Sequence, residues 1–200
     1  DYEYASQHES SITVDQLRAR YSAVILAHGA LKDRTLGLPN EDAKGILPSR
    51  RVVNWYNGSL DNDLDTEQEF NLENIRDIAV IGNGNIFCDI ARTLLKSHKV
   101  FDQTDMPVSV IDLLKKSNLQ NLQPIIRRGI TQSAFTTKEI REVSAIPGLE
   151  LYMFKDEVQR SMTLASEQEM RSNYARAIGR RTELLLKEFK AIENDEHYQE

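Results

Sequence analysis

Apolar and polar positions alternate with two different periods along the chain, and the order of those periods predicts an α/β protein. Short apolar runs predict strands over residues 23–27, 78–81, 122–126 and 149–154. The first two runs are of the kind that is buried in a parallel sheet. Apolar residues at three- and four-residue spacing predict helices over residues 12–21, 86–95, 108–116, 136–146 and 167–192. We therefore expect a Rossmann-like parallel sheet flanked by helices, with right-handed crossovers between its strands.

The segments between these elements are predicted to be irregular. Residues 31–58 contain Pro39, Pro48 and several glycines, which is typical of a connector, and the end of this segment around Trp55 is predicted to be a packed corner. Residues 61–73 are acidic and follow neither period, so a solvated surface loop is expected there.

The turn between the strand at 78–81 and the following helix contains Gly82 and Gly84. In a dinucleotide-binding turn, the first glycine allows the tight backbone and the second lets the chain approach a pyrophosphate at the helix N-terminus. The third position of that fingerprint favours Gly or Ala, and here it is Phe87. The turn alone therefore leaves two interpretations open, a phosphate site and an ordinary strand-to-helix corner.

Arg127 and Arg128 follow the predicted strand at 122–126. Strands that are parallel neighbours end at the same edge of a sheet, so the arginine pair is expected beside the glycine turn. Arginine at that edge accommodates the 2′-phosphate of NADP, whereas NAD usually meets an acidic residue there. Paired arginines also end many surface strands, but next to the glycine turn we favour the cofactor interpretation.

Further candidate residues lie outside the turn. His28 ends the predicted strand at 23–27 and is a candidate cofactor contact or a structural residue. Cys88 is predicted to pack as a small hydrophobe, because a redox role would need a second thiol. Cations cluster on the predicted helix at 167–192, as a docking patch or as a solvated face: Arg171, Arg176, Arg180 and Arg181.

Composition limits the classes of function. The chain has 200 residues, 40% hydrophobic and 28% charged, which is ordinary for a globular protein. A net charge of -6 argues against general nucleic-acid binding, and the absence of any long apolar run argues against a membrane-spanning segment. The single cysteine excludes an internal disulfide and a Cys-cluster metal site, which fits a reducing compartment.

Several separated stretches together resemble one family. They are Ala23 to Gly29, the corner Val53 to Gly58, the turn Val80 to Ile86 with Asp89 to Arg92, and the block Arg127 to Glu142. In these stretches the chain is similar to adrenodoxin reductase, the mitochondrial-type flavin-containing NADPH:ferredoxin reductase. The resemblance runs from about Ile12 to Phe189.

The resemblance implies roles for individual residues. The residues that match the turn under the NADP pyrophosphate are Gly82, Gly84, Asn85 and Ile86. Arg127 and Arg128 match the pair that holds the 2′-phosphate, and Glu139 matches a residue that contacts the cofactor. Arg141, Arg176 and Arg180 match basic positions that dock an acidic [2Fe-2S] ferredoxin. A location in the mitochondrial matrix is also implied.

The departures from the family's pattern concern the pocket and the extent of the chain. Phe87 and Ile126 stand where the family has Ala and Gly, so both walls of the pocket are expected to be bulkier. The implied organisation is the end segment of an incomplete FAD-binding domain with a connector over 1–58, an NADP-binding domain over 59–193 and a disordered tail over 194–200. The chain alone is therefore expected not to hold FAD and to be inactive.

Three hypotheses follow. The first is part of a working reductase that passes electrons from NADPH through FAD to a ferredoxin. The second is a non-catalytic accessory or scaffold subunit that contacts other subunits of a larger mitochondrial complex, which Phe87 and Ile126 favour. The third is a stand-alone NADPH sensor, which predicts binding of NADPH without flavin.

Overall fold

Residues 12–27, 33–172 and 176–192 are described by the computed structural model, and the chain divides into two units, residues 1–38 and 39–200. Helix α1 (Val14–Arg20) in the first unit confirms the predicted amino-terminal helix. The Thr13 hydroxyl accepts from the Gln16 N–H, while the Gln16 side chain accepts from the Thr13 N–H. This reciprocal capping box satisfies two N–H groups that a helix start leaves without intrahelical partners.

The predicted buried strand at 23–27 is wrong. These residues pair with no strand in the described part of the chain, and Ile25 and Leu26 are 88% and 61% exposed. An apolar run becomes a buried parallel strand only when neighbouring strands take up its N–H and C=O groups. The sequence supplied the apolar run, but the described residues supply no neighbour for it. His28 lies outside the described residues.

The second unit contains most of the regular structure. In chain order its elements are α2 (Ser49–Tyr56), β1 (Asp77–Ile81), α3 (Asn85–Leu95), α4 (Val108–Lys115), β2 (Asn121–Ile125), α5 (Thr137–Ser144), β3 (Tyr152–Phe154), α6 (Lys155–Ser161), α7 (Leu164–Arg171), α8 (Arg176–Glu188) and β4 (Lys190–Ile192). Short 3₁₀ turns cover His98–Val100 and Ile130–Gln132.

Strands β1 and β2 pair in parallel, with Asp77 opposite Asn121 and Ile81 opposite Ile125. Pro124 lies within β2, and proline is tolerated there because an edge strand needs fewer N–H donors. The connection between the strands runs through α3 and α4, as predicted. The parallel pairing brings the ends of β1 and β2 to one edge of the sheet.

The two faces of β1 differ, which corrects the prediction of a fully buried strand. Ile78 and Val80 are half-buried on one face and contact the core, whereas Ala79 and Ile81 are exposed on the other, Ile81 by 57%. Successive side chains of a strand point to opposite faces, so one layer of helices covers one face only.

The first core cluster lies between α2, α3 and α4. Trp55 is buried, with its ring 5.4 Å from that of Phe70 in an edge-on contact. The connector prediction for 31–58 is thus wrong over α2, although the packed corner is confirmed. The solvated-loop prediction for 61–73 is also wrong, because that loop places three of its side chains in the core: Leu64, Phe70 and Leu72.

Arg51 fixes the acidic loop against α2. Its guanidinium donates to Asp63 and Glu69, with Nη2 to Oε2 of Glu69 at 2.8 Å. Hydrogen bonds from Arg51 lower the pKa of both carboxyl groups. The acidic loop at 61–73 is therefore held by its apolar side chains in the core and by its ion pairs with Arg51.

The second core cluster lies between α3, α5 and α8. It contains Phe87 and Cys88 from α3, Ile140 from α5 and Leu185 from α8. Cys88 is fully buried, which confirms its predicted packing role, and burial raises the pKa of its thiol to about 12. Helix α3 contributes side chains to both clusters, so it is central to the second unit.

The predicted helix at 167–192 is wrong as a single element. Helix α7 ends at Arg171, its C-cap residue Ser172 has an extended ψ of 142°, and a separate helix α8 begins at Arg176. Beyond α8, β4 pairs in parallel with β3. The apolar spacing is similar in both helices, so periodicity alone did not reveal the break.

Within the described residues, no helix is both long enough and apolar enough to cross a membrane. The predicted disordered tail at 194–200 lies outside those residues. The assignment of flavin and NADP domains to 1–58 and 59–193 stays a prediction, while the structure groups 39–58 with the second unit.

Candidate nucleotide-binding site

The glycine turn follows β1 directly and begins α3. Gly82 has φ +121°, a conformation that side-chain-bearing residues rarely adopt, and its N–H donates to the Ile125 carbonyl at 2.9 Å. Gly84 is the N-cap of α3 and provides no side-chain cap. A Cβ added at Gly82 or Gly84 would meet nothing within 4 Å, so the space before the helix start is open.

Asn83 and Asn85 tie this turn to the segment that follows the arginine pair. The Asn83 carbonyl accepts from the N–H groups of Ala134 and Phe135, at 3.1 and 3.0 Å. Oδ1 of Asn85 accepts from the Thr136 N–H at 2.9 Å. Hydrogen bonds therefore join two regions that lie about 50 residues apart in the chain.

Arg127 and Arg128 lie at the same edge, just after β2. Both are exposed, and neither forms an ion pair with a residue in the described part of the chain. The residue after them approaches α6 closely, because a Cβ on Gly129 would lie 2.4 Å from Cβ of Ser161. The loop that carries the arginine pair therefore packs against the end of α6.

Glu139 lies on α5 and faces α3 rather than open solvent. Its Oε2 lies 2.6 Å from Nη2 of Arg92, in a geometry too bent for a hydrogen bond. The Arg92 guanidinium also pairs with Asp89 and Glu142, and its side chain is only 17% exposed. Burial opposes the charged form of Arg92, but these carboxylates outweigh that effect and raise its pKa. This network joins α3 to α5.

Phe87 and Ile126 occupy different environments. The Phe87 ring is 8% exposed and packs in the second core cluster, so its bulk does not fill the space before the glycine turn. Ile126 is 37% exposed beside the arginine pair. The expected thickening of both pocket walls therefore does not apply to the wall that contains Phe87.

The three predicted docking arginines lie on two helices that pack together. Arg141 is on α5, and Arg176 and Arg180 are one turn apart on α8. All three are exposed, and none pairs with an acidic residue among those that the structure describes. Their positive charge therefore faces solvent.

Arg181 does not belong to that exposed group. It is half-buried and donates to the Thr131 and Phe135 carbonyls, at 3.1 and 3.3 Å. Burial lowers the pKa of its guanidinium. A signal in the sequence could have indicated this, because Arg181 shares a helix face with Ile178 and Leu185.

Asn83 and Gly129 were also missed by the sequence analysis. Asn83 acts through its backbone carbonyl, which every residue type has, so the sequence contains no signal for it. Gly129 could have been suspected, because a glycine after a strand often marks a close approach. In the described part of the chain, no group of His, Cys, Asp and Glu side chains could hold a metal ion.

A scan of protein-family models finds no match to this chain. The chain is 36% identical over 192 residues to the mitochondrial NADPH:adrenodoxin oxidoreductase of Arabidopsis thaliana, covering 94% of this chain and 37% of that protein. It is 38% identical over 138 residues to the human protein of the same name, covering 68% of this chain and 27% of the relative.

Solved structures give a consistent result. FprA, an oxidoreductase of Mycobacterium tuberculosis solved in complex with NADPH, superposes with a TM-score of 0.74 at 29% identity, covering 92% of this chain and 38% of FprA. This similarity confirms the predicted α/β class. The chain spans about a third of the length of these relatives. Over that length, its sequence and fold are those of a segment of the adrenodoxin reductase family.

Proposed function

We propose that this chain is the NADP(H)-binding part of an NADPH-dependent flavoprotein reductase that passes electrons to a [2Fe-2S] ferredoxin. The observation that carries the proposal is the juxtaposition of the glycine turn and the arginine pair at one sheet edge, where the Gly82 N–H donates to the Ile125 carbonyl at the end of β2. The names of the relatives support it, as does the complex of FprA with NADPH.

The residues at this edge fit the two phosphate groups of the cofactor. The open space before Gly82 and Gly84 accommodates a pyrophosphate against the first N–H groups of α3, which include those of Asn85 and Ile86. Arg127 and Arg128 have no acidic partner among the described residues and can pair with the 2′-phosphate. Positive charge and free donors therefore occupy the places that the two anionic groups need.

In this proposal Glu139 makes the cofactor contact that the family implies. Its carboxylate is oriented by Arg92, so it would meet the cofactor in a fixed position. When bound, NADPH would supply a hydride that FAD would accept and pass on as single electrons. The residues described here bind and orient the donor.

Partner and location are part of the same proposal. The exposed cations Arg141, Arg176 and Arg180 fit an acidic ferredoxin, because complementary charge steers association. The named relatives are mitochondrial proteins, and we place this protein in the mitochondrial matrix. The accessory-subunit hypothesis gains no support, because the reported relatives are all named as oxidoreductases.

Cofactor preference tests the phosphate assignment. In titrations of the full protein, NADPH should bind more tightly than NADH, and the double variant Arg127→Ala, Arg128→Ala should lose about 100-fold in NADPH affinity with little change for NADH. That size corresponds to about two hydrogen bonds between charged groups. The control is Arg18→Ala with Arg20→Ala on α1, which removes the same charge elsewhere. Equal affinity of the unmodified protein for both cofactors would refute the assignment.

The reductase activity needs its own test. The protein isolated from its source should show a flavin absorbance band, and NADPH should reduce an added [2Fe-2S] ferredoxin in its presence. The intact mass of this chain, determined on the same sample, shows whether the flavin band belongs to a preparation whose chain is longer than the 200 residues of the sequence. NADPH binding by a preparation without flavin would instead favour the sensor hypothesis.

A further inference from the structure

Arg181 connects α8 to the segment between the arginine pair and α5. Its two terminal nitrogens donate to two carbonyls, that of Thr131 within the 3₁₀ turn Ile130–Gln132 and that of Phe135 after the turn. The neighbouring α8 residue Thr182 is almost fully buried, as is Thr131. The guanidinium therefore bridges the segment at a tightly packed interface.

The bridged segment has little regular structure of its own. Residues 129–135 contain only the 3₁₀ turn Ile130–Gln132, so their position depends on contacts with other elements. Asn83 holds the segment's end from the sheet edge, Ser161 packs beneath Gly129, and Arg181 holds the middle and the end from α8. Arg127 and Arg128 immediately precede this segment. A shift of the segment would therefore also shift the arginine pair.

We propose that Arg181 is a positioning residue that fixes the 129–135 segment and thereby aims Arg127 and Arg128 at the 2′-phosphate of NADPH. This inference rests on the proposed function. The same helix presents Arg176 and Arg180 to solvent, so one element supports both the cofactor's specificity and the partner's docking. Loss of Arg181 should therefore impair discrimination between NADPH and NADH rather than cofactor binding in general.

Replacement of Arg181 by lysine distinguishes a positioning role from a simple effect of its charge. A guanidinium is a planar fork whose separate N–H groups reach two carbonyls at once, whereas an ammonium is a compact point charge. Arg181→Lys therefore keeps the positive charge but should not bridge Thr131 and Phe135. Positioning predicts that the Lys variant behaves like Arg181→Met, and a charge effect predicts that the Lys variant behaves like the unmodified protein.

The test measures dissociation constants of NADPH and NADH for the full protein by fluorescence titration, which needs no turnover. The ratio of the two constants should fall about tenfold in both Arg181→Met and Arg181→Lys, the scale of one hydrogen bond to a charged group, with NADH affinity nearly unchanged. Hydrogen exchange at the Ala134 and Phe135 amides should quicken in both variants. The control is Lys187→Met, which removes an exposed α8 cation that pairs with Glu188.

The outcomes distinguish the inference from the proposed function. An unchanged ratio in both Arg181 variants, or rescue by lysine, overturns the inference alone, provided that the unmodified protein prefers NADPH. An equal loss of NADPH and NADH affinity overturns it as well, because that pattern indicates a purely structural role. If Arg181→Met fails to fold, Arg181→Lys decides the question. No preference in the unmodified protein would overturn the proposed function itself.

Discussion

Gly129 shows how one missing side chain permits the candidate site. The residue lies directly after the arginine pair, and a Cβ there would be 2.4 Å from Cβ and 3.1 Å from Cα of Ser161. Real Cβ atoms do not approach so closely, and one of the clashing atoms belongs to the backbone of α6. A methyl group would therefore displace the loop rather than merely turn a side chain.

We expect Gly129→Ala to destabilise the second unit by about 1–3 kcal/mol, the usual cost of overpacking, and to weaken NADPH binding more than NADH binding. Urea unfolding and cofactor titration measure the two effects. Gly179→Ala on α8 is the matched control, because its Cβ would meet only Met170 O at 3.4 Å and alanine favours a helix. A fully stable Gly129→Ala protein would mean that the close contact with Ser161 is absent in solution.

At the scale of residues, the sequence predicted the candidate binding residues but not the hydrogen bonds that support them. The glycine turn and the arginine pair were predicted to meet at one sheet edge, and they do so because parallel strands end together. Asn83 acts through its own backbone carbonyl, and the Arg181 guanidinium donates to the backbone carbonyls of two distant residues. A backbone carbonyl has no side-chain identity that could be recognised in the sequence. The supporting contacts of the candidate site therefore required the structure, whereas the meeting of the glycine turn and the arginine pair could be predicted from the sequence.

At the scale of elements, helices with a strong local signal in the sequence were predicted correctly. Helices α3, α4 and α5 have clear apolar spacing, and α5 also has the Thr136 cap, whose hydroxyl accepts from the Glu139 N–H. The failures have tertiary causes. Residues 23–27 have an apolar run but no paired neighbour in the described chain, and the acidic loop at 61–73 is held in the core by three apolar anchors that its charge concealed.

The candidate docking face consists of Arg141 on α5 and of Arg176 and Arg180 on α8. Because the cations of this face are exposed, their contribution to ferredoxin binding should be mainly long-range and screened by salt. We expect Arg176→Gln with Arg180→Gln to slow association with a [2Fe-2S] ferredoxin roughly tenfold at low salt. The difference should disappear near 0.5 M salt, where the screening length is only a few ångströms. Stopped-flow measurement over a salt series tests this.

The control for the docking face is Lys115→Gln with Lys116→Gln at the end of α4, which removes the same charge at the edge of the first core cluster. Equal slowing in this control would indicate a general effect of net charge, and α5 and α8 would then not form a docking site. Association that does not respond to salt in the unmodified protein would lead to the same conclusion.

At the scale of the second unit, α3 is the element that links binding to stability. Its first turn begins the candidate phosphate site, while its buried face contributes Ile90 and Leu94 to the first core cluster and Phe87 and Cys88 to the second. A helix packed on both sides cannot shift at one end without disturbing both clusters. A cofactor bound at that end should therefore stabilise the whole unit against unfolding.

Cys88 offers a direct measurement of that stabilisation. It is the chain's single cysteine and is fully buried, and burial raises the pKa of its thiol to about 12. At pH 8.5, an unfolded thiol is about half ionised, whereas the native thiol is ionised roughly a thousandfold less. Because the thiolate is the reactive form, alkylation should be negligible in the native state and should report unfolding.

The raised pKa of Cys88 also makes the free energy of unfolding depend on pH. Since the native pKa lies above the unfolded one, the stabilising contribution of the neutral thiol is fully present below pH 8.5 and is lost progressively as the pH rises toward 12. Cys88→Ala should remove this part of the alkaline destabilisation. Urea denaturation of both proteins between pH 7 and about pH 10 compares the two slopes.

We expect the alkylation rate of Cys88, measured by intact mass in mild urea at pH 8.5, to fall when NADPH is added, by the factor 1 + [NADPH]/Kd that ligand linkage requires. NADH at the same concentration should protect less, because it lacks the 2′-phosphate that we propose Arg127 and Arg128 bind. The Arg127→Ala, Arg128→Ala variant should then show equal protection by both cofactors. Rapid alkylation without urea would mean that Cys88 is exposed in solution, and protection that is equal in the unmodified protein would argue against a 2′-phosphate site at this sheet edge.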